Sequence, residues 1–380
     1  MPFQLSDEQL LTRSAVREFA EAEILPIAAE IDRDHRAPLE SIPKMGAQGL
    51  LGMIIPEKYE GAGSDYLSYM IAIEEVSRVC GTHGVMIEAH TSLASYPILH
   101  FGTEEQKMEF LPDLATGRKM GAFGLTEPEA GSDAANLKTT AVRDGDDWVI
   151  NGQKIFITGG GYAKTFVVFA RTNPDVPSHK GISAFIIDRD TPGFTIGENE
   201  QKLGIRGSST TPLMFSDVRV PNSRMLGQPG QGFEVAMNTL DGGRTGIAAQ
   251  ALGIAQGAFE AALKYAQERV QFGKPLTTKQ AIQRMLADMS TDLAAGRLLV
   301  YEAADLEDRG EEYAIPAARA KLFCGPMASR VTTQAIQIHG GNGYIMEYPV
   351  ERMFRDARIT EIYEGTNEVQ RLVIAKSLLR

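Results

Sequence analysis

The hydrophobic period of this chain changes twice, and those two switches constrain its fold more than any other feature. Through the first third, apolar residues recur every three or four positions, as one face of a helix requires. From Gly121 they fall into short runs separated by Gly, Pro, Asn and Asp, the pattern of β-strands. From Gly232 the helical period returns and persists. Helices, then strands, then helices within 380 residues predict an α+β multidomain protein. The three domains fall at 1–120, 121–231 and 232–380, together long enough to bury a large core.

Local signals fill in each part. Ser6 and Gln9 form a capping box, with Leu5 and Leu10 placed for a hydrophobic staple. Leu11, Ala15, Phe19 and Ala22 then line one helical face as far as Pro26. Further helices are predicted over 39–50, 66–80, 84–100 and 104–116, an all-α N-terminal domain. In the middle domain, Asn151-Gly152 between two β-rich runs predicts a hairpin turn. Runs at 166–170, 182–188, 194–196 and 213–220 have the spacing of an antiparallel β-barrel or sandwich. Helical stretches over 232–271, 278–309, 313–340 and 367–380 predict a C-terminal four-helix bundle.

Composition excludes several function classes. A formal charge of −11 leaves no basic face to displace counterions from nucleic acid. Cys80 and Cys324 stand alone, without a C-x-x-C, so neither a disulfide framework nor a cysteine metal site is expected. The N-terminus lacks the basic and apolar regions of a secretory signal. No apolar run nears the roughly 20 residues of a membrane span. The expectation is a soluble cytoplasmic protein with no membrane insertion. There is no G-x-G-x-x-G, P-loop, H-E-x-x-H or G-x-S-x-G, so a nucleotide cofactor would need another arrangement. Near the C-terminus, Glu364-Gly365-Thr366 puts one carboxylate before a capped helix. In isolation such a tripeptide is ordinary.

Seven segments remove that isolation. AFGLTEPEAGSD (122–133), NGQKIFIT (151–158), KLGIRGS (202–208), LDGGRTGIA (240–248), ERVQFGKP (268–275), QIHGGNGY (337–344) and RDARITEIYEGTNEVQRL (355–372) stand in one order across the chain. Together they resemble the acyl-CoA dehydrogenase flavoproteins, and most the short-chain, butyryl-CoA type. The resemblance implies FAD as cofactor, an acyl-CoA substrate, an electron-transfer flavoprotein as partner and a homotetramer. It implies that Glu364 removes the proton α to the thioester carbonyl while a hydride leaves the β carbon for the flavin. The base's own backbone N–H would stabilise the enolate oxygen, and burial would raise its pKa.

Residue by residue, the likeness assigns Phe123, Leu125, Thr126, Gly131, Ser132, Phe156, Ile157 and Thr158 to the flavin cradle. Arg269, Phe272, Gln280, Gln337, Gly340 and Gly341 become FAD contacts across a subunit interface. Thr366 and Glu368 fall on the adenine or ribityl side. Ser132, Asp241, Arg244 and Gly365 fall to the substrate, although Asp241 and Arg244 alone read as a surface ion pair one turn apart. Arg269 alone reads as an exposed helical arginine. Two positions depart from the family: Phe156 where Trp is frequent, and Gly159 where Asn is usual. His90 reads first as a hydrogen-bonded core histidine; the alternative, with Glu88 and Thr91 nearby, is a contact to a polar or unusual acyl group. Branched or alicyclic acyl-CoA substrates, or the enoyl-CoA reductase direction, remain open on the same residues.

Overall fold

The computed structural model describes residues 4–379 and has three parts. The first is α1 (Asp7–Phe19), α2 (Ala28–Arg33), α3 (Ser41–Ala47), α4 (Tyr66–Val79), α5 (Gly81–Glu88), α6 (Tyr96–Phe101) and α7 (Glu104–Ala115). The capping box forms: Gln9 N–H donates to Ser6 Oγ at 3.2 Å, and Ser6 N–H to Gln9 Oε1 at 3.0 Å. Leu5 packs on the core, whereas Leu10 is exposed.

Of the predicted apolar face of α1, only Phe19 packs on the core. Val16, Ala20 and Ile24 face the core, while Ala15 and Ala22 are exposed and Leu11 is 69% exposed. Both stripes have helical spacing, so periodicity cannot choose between them; packing of α1 on α4 does. Nor does Pro26 end the helical path. It lies in a 3₁₀ turn (Leu25–Ile27), where a missing N–H is harmless, and the path runs on to Arg33. The stretch predicted as one helix over 84–100 is α5, a π-helical turn (Ala89–Ser95) and α6. Such π turns widen the helix locally and often mark functional sites.

The middle part contains β1 (Gly121–Gly124), β2 (Thr140–Asp144), β3 (Asp147–Thr158), β4 (Thr165–Arg171), β5 (Ile182–Asp188), β6 (Phe194–Ile196), β7 (Thr210–Pro221) and β8 (Met225–Leu226). They pair in the order β6-β7-β3-β2-β4-β5-β8, largely antiparallel, with β1 beside β4 in parallel. Both faces are covered. Phe166, Val168, Ala170, Phe185 and Ile187 fill the domain's own core. Their alternates Val167, Phe169, Ala184 and Ile186 pack on Phe110 and Leu114 of α7. Two buried faces explain why β4 and β5 read as continuous apolar runs rather than as alternation.

Asn151-Gly152 is not a turn. β3 runs straight through it, and the hairpin closes instead at Gly145-Asp146, between Asp144 and Asp147. The two residues serve a bulge where β3 meets β7. Asn151 Nδ2 donates to Asp217 Oδ1 at 3.0 Å, and Asp217 N–H donates to Asn151 Oδ1 at 2.8 Å. A side chain on Gly152 would put its Cβ 2.5 Å from Thr139 Oγ1, so close strand approach demands glycine.

The third part is α8 (Gly232–Glu268), β9 (Val270–Gln271), β10 (Lys274–Pro275), α9 (Gln280–Asp308), α10 (Ala314–His339), α11 (Val350–Ala357) and α12 (Asn367–Leu378). The four long helices are as predicted, α11 is additional, and Arg380 of the last predicted helix lies outside the described residues. α8 stops three residues early, so Arg269 opens an extended hairpin loop instead of riding on a helix. α4, buried along its whole length, packs against α8 and α9 and welds the first part to the third. Cys80 and Cys324 are both free and buried. Among the described residues, no helix is long and apolar enough to cross a membrane, and no group of His, Cys, Asp or Glu could hold a metal ion.

Candidate active site

Glu364 lies at a corner between a 3₁₀ turn (Arg358–Glu361) and α12. Its φ is +53° and that of Gly365 is +89°, two consecutive left-handed residues of which only glycine is at ease. Thr366 caps α12 by accepting Val369 N–H at 3.3 Å. Gln370, buried one turn into α12, reaches back to the carbonyls of Glu364 (3.3 Å) and Gly365 (3.0 Å). Lys321 of α10 donates to the same Gly365 carbonyl at 2.6 Å. Tyr363 donates to Gln250 Oε1, and Gln250 Nε2 holds Gly81 O at 2.9 Å. The corner is thus tied to α8, α10 and α5.

The Glu364 side chain lies over α8 at Gly243. Any Cβ there would overlap Glu364 Oε2 and stand 3.0 Å from Leu93 of the π turn. Oε2 is buried and has no hydrogen-bond partner. Burial pushes the carboxyl up to about 7, against the opposing pull of Glu88, Lys321 and Arg244. A carboxylate on the edge of ionisation at neutral pH, aimed at unfilled hydrogen-bonding space, is equipped to accept a proton.

A second carboxyl, which the sequence offered only as a polar neighbour of His90, stands beside it. Glu88 ends α5 with 0% exposure, and neither of its oxygens has a partner. Its Cγ lies over Gly246, where a Cβ would come within 2.7 Å. The two glycines are three residues apart, about 4.5 Å along the axis of α8, which makes the two acids close neighbours. Burial first, and the neighbouring Glu364 second, push Glu88 well above the usual carboxylate range, which favours its protonated form. No motif contains Glu88; only its burial marks it.

His90 is a core histidine. Its Nδ1 accepts Gly121 N–H at 2.9 Å and its Nε2 faces Leu114 O at 2.9 Å. Burial lowers it to about 4, so the ring is neutral and clamps β1 to the end of α7. Asp241 and Arg244 of α8 do pair, but not on the surface: Arg244 is buried, and its Nε has no partner.

The predicted flavin residues fall into two places. Phe123, Leu125, Thr126, Gly131, Ser132, Phe156, Ile157 and Thr158 lie along β1, β3 and the loop between β1 and β2. Ile155 N–H donates to Thr126 O at 2.9 Å, which sets Thr126 beside Phe156. Leu125 and Ile157 are buried and turned inward, whereas Phe123, Thr126 and Thr158 are half-buried, and Gly131 and Ser132 are exposed. Phe156 is 59% exposed at φ +58°, an aromatic ring held outward by a bulged strand. Gly159 follows at φ +77° and gives its N–H to Ser209 O at 2.7 Å.

Arg269, Phe272, Gln280, Gln337, Gly340 and Gly341 lie elsewhere, all exposed at the far end of the bundle. Gly243 and Arg269 are separated by 26 residues along α8 and its cap, about 39 Å of helix. Within one chain they cannot reach Glu364. Glu368 is exposed on α12, paired with Arg371. The open surface groove lined by Phe110, Arg118, Lys164, Asp188 and Arg189 holds none of these residues.

A helical domain, a β domain and a helical bundle around a buried carboxyl define a flavin-dependent dehydrogenase architecture. Outward Phe156, with Thr126 and Thr158 beside it, fits the flat ring of FAD. Comparison with known proteins narrows the class. The acyl-CoA dehydrogenase N-terminal, middle and C-terminal domain profiles match residues 6–118, 122–218 and 230–379. The chain is 56% identical to the short-chain specific acyl-CoA dehydrogenase of Clostridium acetobutylicum, over 100% of both chains. It superposes on butyryl-CoA dehydrogenase from Megasphaera elsdenii with a TM-score of 0.98, at 47% identity over 100% of both. It also superposes, with TM-score 0.98 and 50% identity over 100% of both, on a chain in a structure described as the electron transferring flavoprotein of Acidaminococcus fermentans. The protein belongs to the acyl-CoA dehydrogenase family and is an FAD-dependent oxidoreductase.

Proposed function

We propose that this enzyme converts a short-chain acyl-CoA to its trans-2-enoyl-CoA, with Glu364 taking the α proton and an electron-transfer flavoprotein receiving the electrons. The observation that carries the reading is the Glu364 carboxyl itself, buried, unpartnered at Oε2 and poised near neutrality. Its backbone N–H donates to no group among the described residues, which leaves it available to a thioester oxygen. A donor aimed there stabilises the enolate as the proton leaves. FAD, when bound, supplies the acceptor for the hydride of the β carbon.

The chain's own groups orient the rest. Phe156, Phe123, Thr126 and Thr158 hold the flavin ring, with Leu125, Gly131 and Ile157 contributing backbone. Ser132, Gly365, Asp241 and Arg244 meet the CoA thioester and its pantetheine. The buried Arg244 Nε without a partner is the kind of donor a polar ligand satisfies. Glu88 supports the short chain length. The Glu88 side chain stands over Gly246, one helical turn along α8 from Gly243, and its polar carboxyl is a poor neighbour for a long alkyl tail. Thr366 and Glu368 serve the cofactor on the base's own segment. Arg269, Phe272, Gln280, Gln337, Gly340 and Gly341 are too distant to serve this flavin, so they serve a neighbouring subunit's, within a homotetramer.

The test is an anaerobic titration of the purified flavoprotein with butyryl-, hexanoyl-, isobutyryl- and cyclohexanecarboxyl-CoA, following the oxidised flavin absorbance. Butyryl-CoA is expected to bleach it promptly. Glu364→Gln is expected to retain the flavin and lose at least about 10³-fold in reduction rate, since general-base catalysis contributes roughly 10²–10⁴-fold and the enolate loses its partner. Bleaching only by a branched or cyclic thioester moves the substrate. No bleaching by any of the four ends the dehydrogenase reading.

A further inference from the structure

Lys321 takes no part in the chemistry proposed above, yet it is 0% exposed on α10, behind the base. A buried lysine is costly, and this one makes a single hydrogen bond among the described residues, to Gly365 O at 2.6 Å. It also lies beside the N-terminus of α12, where the helix dipole disfavours a cation. Something must compensate. Burial lowers its ammonium group to about 8, and the largest opposing influence is the charge of Glu364. Glu361 and Glu368 add to it and Arg244 works against it.

The geometry gives this cation a mechanical role as well. Lys321 and Gln370 share the Gly365 carbonyl, and Gln370 also reaches Glu364 O. Those bonds hold the two left-handed residues that aim the carboxyl at Gly243. The ionisable groups around Glu364 come from every packed element: Glu88 from α5, Tyr69 from α4, Arg244 from α8, Lys321 from α10, and Tyr363 beside it. Lys321 alone among them combines a positive charge with a direct bond to the corner's backbone.

We propose that Lys321 is a positioning residue for the base: its ammonium group pins the Glu364–Gly365 corner and keeps the Glu364 carboxylate charged until a substrate α proton arrives. This rests on Glu364 being the base, and the test separates the two ideas. The protonation of Glu364 is titrated directly by difference infrared spectroscopy of the flavin-loaded protein, each variant measured against the same protein carrying Glu364→Gln. Lys321→Met removes charge and bond. Lys321→Gln keeps a donor for Gly365 O without the charge, and Lys321→Arg keeps the charge. The midpoint is expected to rise by about one pH unit or more in Lys321→Met and Lys321→Gln, the usual effect of losing a nearby opposite charge, and to stay within a few tenths in Lys321→Arg.

Flavin bleaching by butyryl-CoA is run on the same samples. The acidic limb of its rate against pH is expected to move up with the midpoint, and the plateau rate to survive in Lys321→Gln but fall in Lys321→Met. An unmoved midpoint in both neutral variants overturns the proposal, even if substrate still bleaches the flavin. Equal shifts in Lys321→Arg and Lys321→Met overturn it too, because charge would then not be the cause. If the midpoint moves while no acyl-CoA bleaches the wild type, the role of Lys321 toward Glu364 stands and the proposed reaction falls. If Lys321→Met does not assemble, Lys321→Gln decides.

Discussion

Glu364 and Glu88 show how two identical side chains acquire different proton affinities from their surroundings. Glu88 is buried outright and Glu364 through its Oε2, but Lys321 and Arg244 oppose burial only at Glu364. Glu88 therefore holds its proton to higher pH in the folded protein than in the unfolded chain. A carboxyl whose folded pKa is raised contributes its full stability below the unfolded value of about 4.5, and loses it as pH rises toward the folded value. Glu88→Gln is accordingly expected to leave stability nearly unchanged at pH 5. At pH 8 the variant should be the more stable protein, read from urea midpoints at both pH values. A gain independent of pH would mean that Glu88 is ionised in the fold. At this scale the sequence spoke only where a motif did. Glu364 was legible through its Y-E-G-T context, while Glu88 and Lys321 belong to no motif and acquire meaning only from what surrounds them. His90 was read correctly as a satisfied core residue.

Elements hold the site through buried polar rivets. Lys154 of β3 is fully buried and donates to Glu127 Oε1 at 2.7 Å and to Leu125 O at 3.2 Å. Glu127 in turn accepts Thr139 N–H at 3.0 Å and Lys138 N–H at 2.5 Å. One ion pair thus fastens the loop carrying Leu125 and Thr126 to the strand carrying Phe156. Burial lowers Lys154 to about 8, with Glu127 opposing. Lys154→Met is expected to destabilise the protein by about 3–5 kcal/mol, because it strands a buried carboxylate. Adding Glu127→Gln should return part of that loss, and a denaturant-unfolding double-mutant cycle measures the coupling. Both residues stand in segments that were legible, TEPEAGSD and NGQKIFIT, but their partnership was not. The Asn151-Gly152 error has a similar cause. Its turn chemistry is genuine, yet the partner strand β7 carries the extra residue, so the pair serves a bulge instead.

The proposed sharing of FAD between subunits belongs to the scale of the whole molecule. Phe272 is 93% exposed, and Tyr344, Leu372, Leu378 and Leu379 are also largely exposed. Single exposed apolar side chains are ordinary; Phe272 stands out because its whole ring is in the open on a hairpin proposed to reach a neighbouring subunit. Phe272 projects from the β9–β10 hairpin beside Arg269, at the opposite end of α8 from Gly243. Phe272→Asp is expected to lower the ratio of bound flavin to protein at least several-fold and to reduce the assembly's mass in light scattering. The Glu364 corner is left intact. A variant that keeps both mass and flavin would place the FAD contacts of this hairpin elsewhere.

The sequence by itself determined the order of the three domains, the helical or extended character of nearly every long element, and the family. Those depend on periodicity, capping and contiguous motifs, which are local or one-dimensional properties. Only the tertiary structure decided which stripe of α1 is buried, that Arg269 leaves its helix, and that Glu88 and Lys321 flank Glu364. These outcomes depend on which distant segments meet: α5, α8, α10 and the 363–366 corner converge from positions far apart in the chain. Burial then sets the charge of each group, and burial is a property of the packed whole rather than of any residue in it.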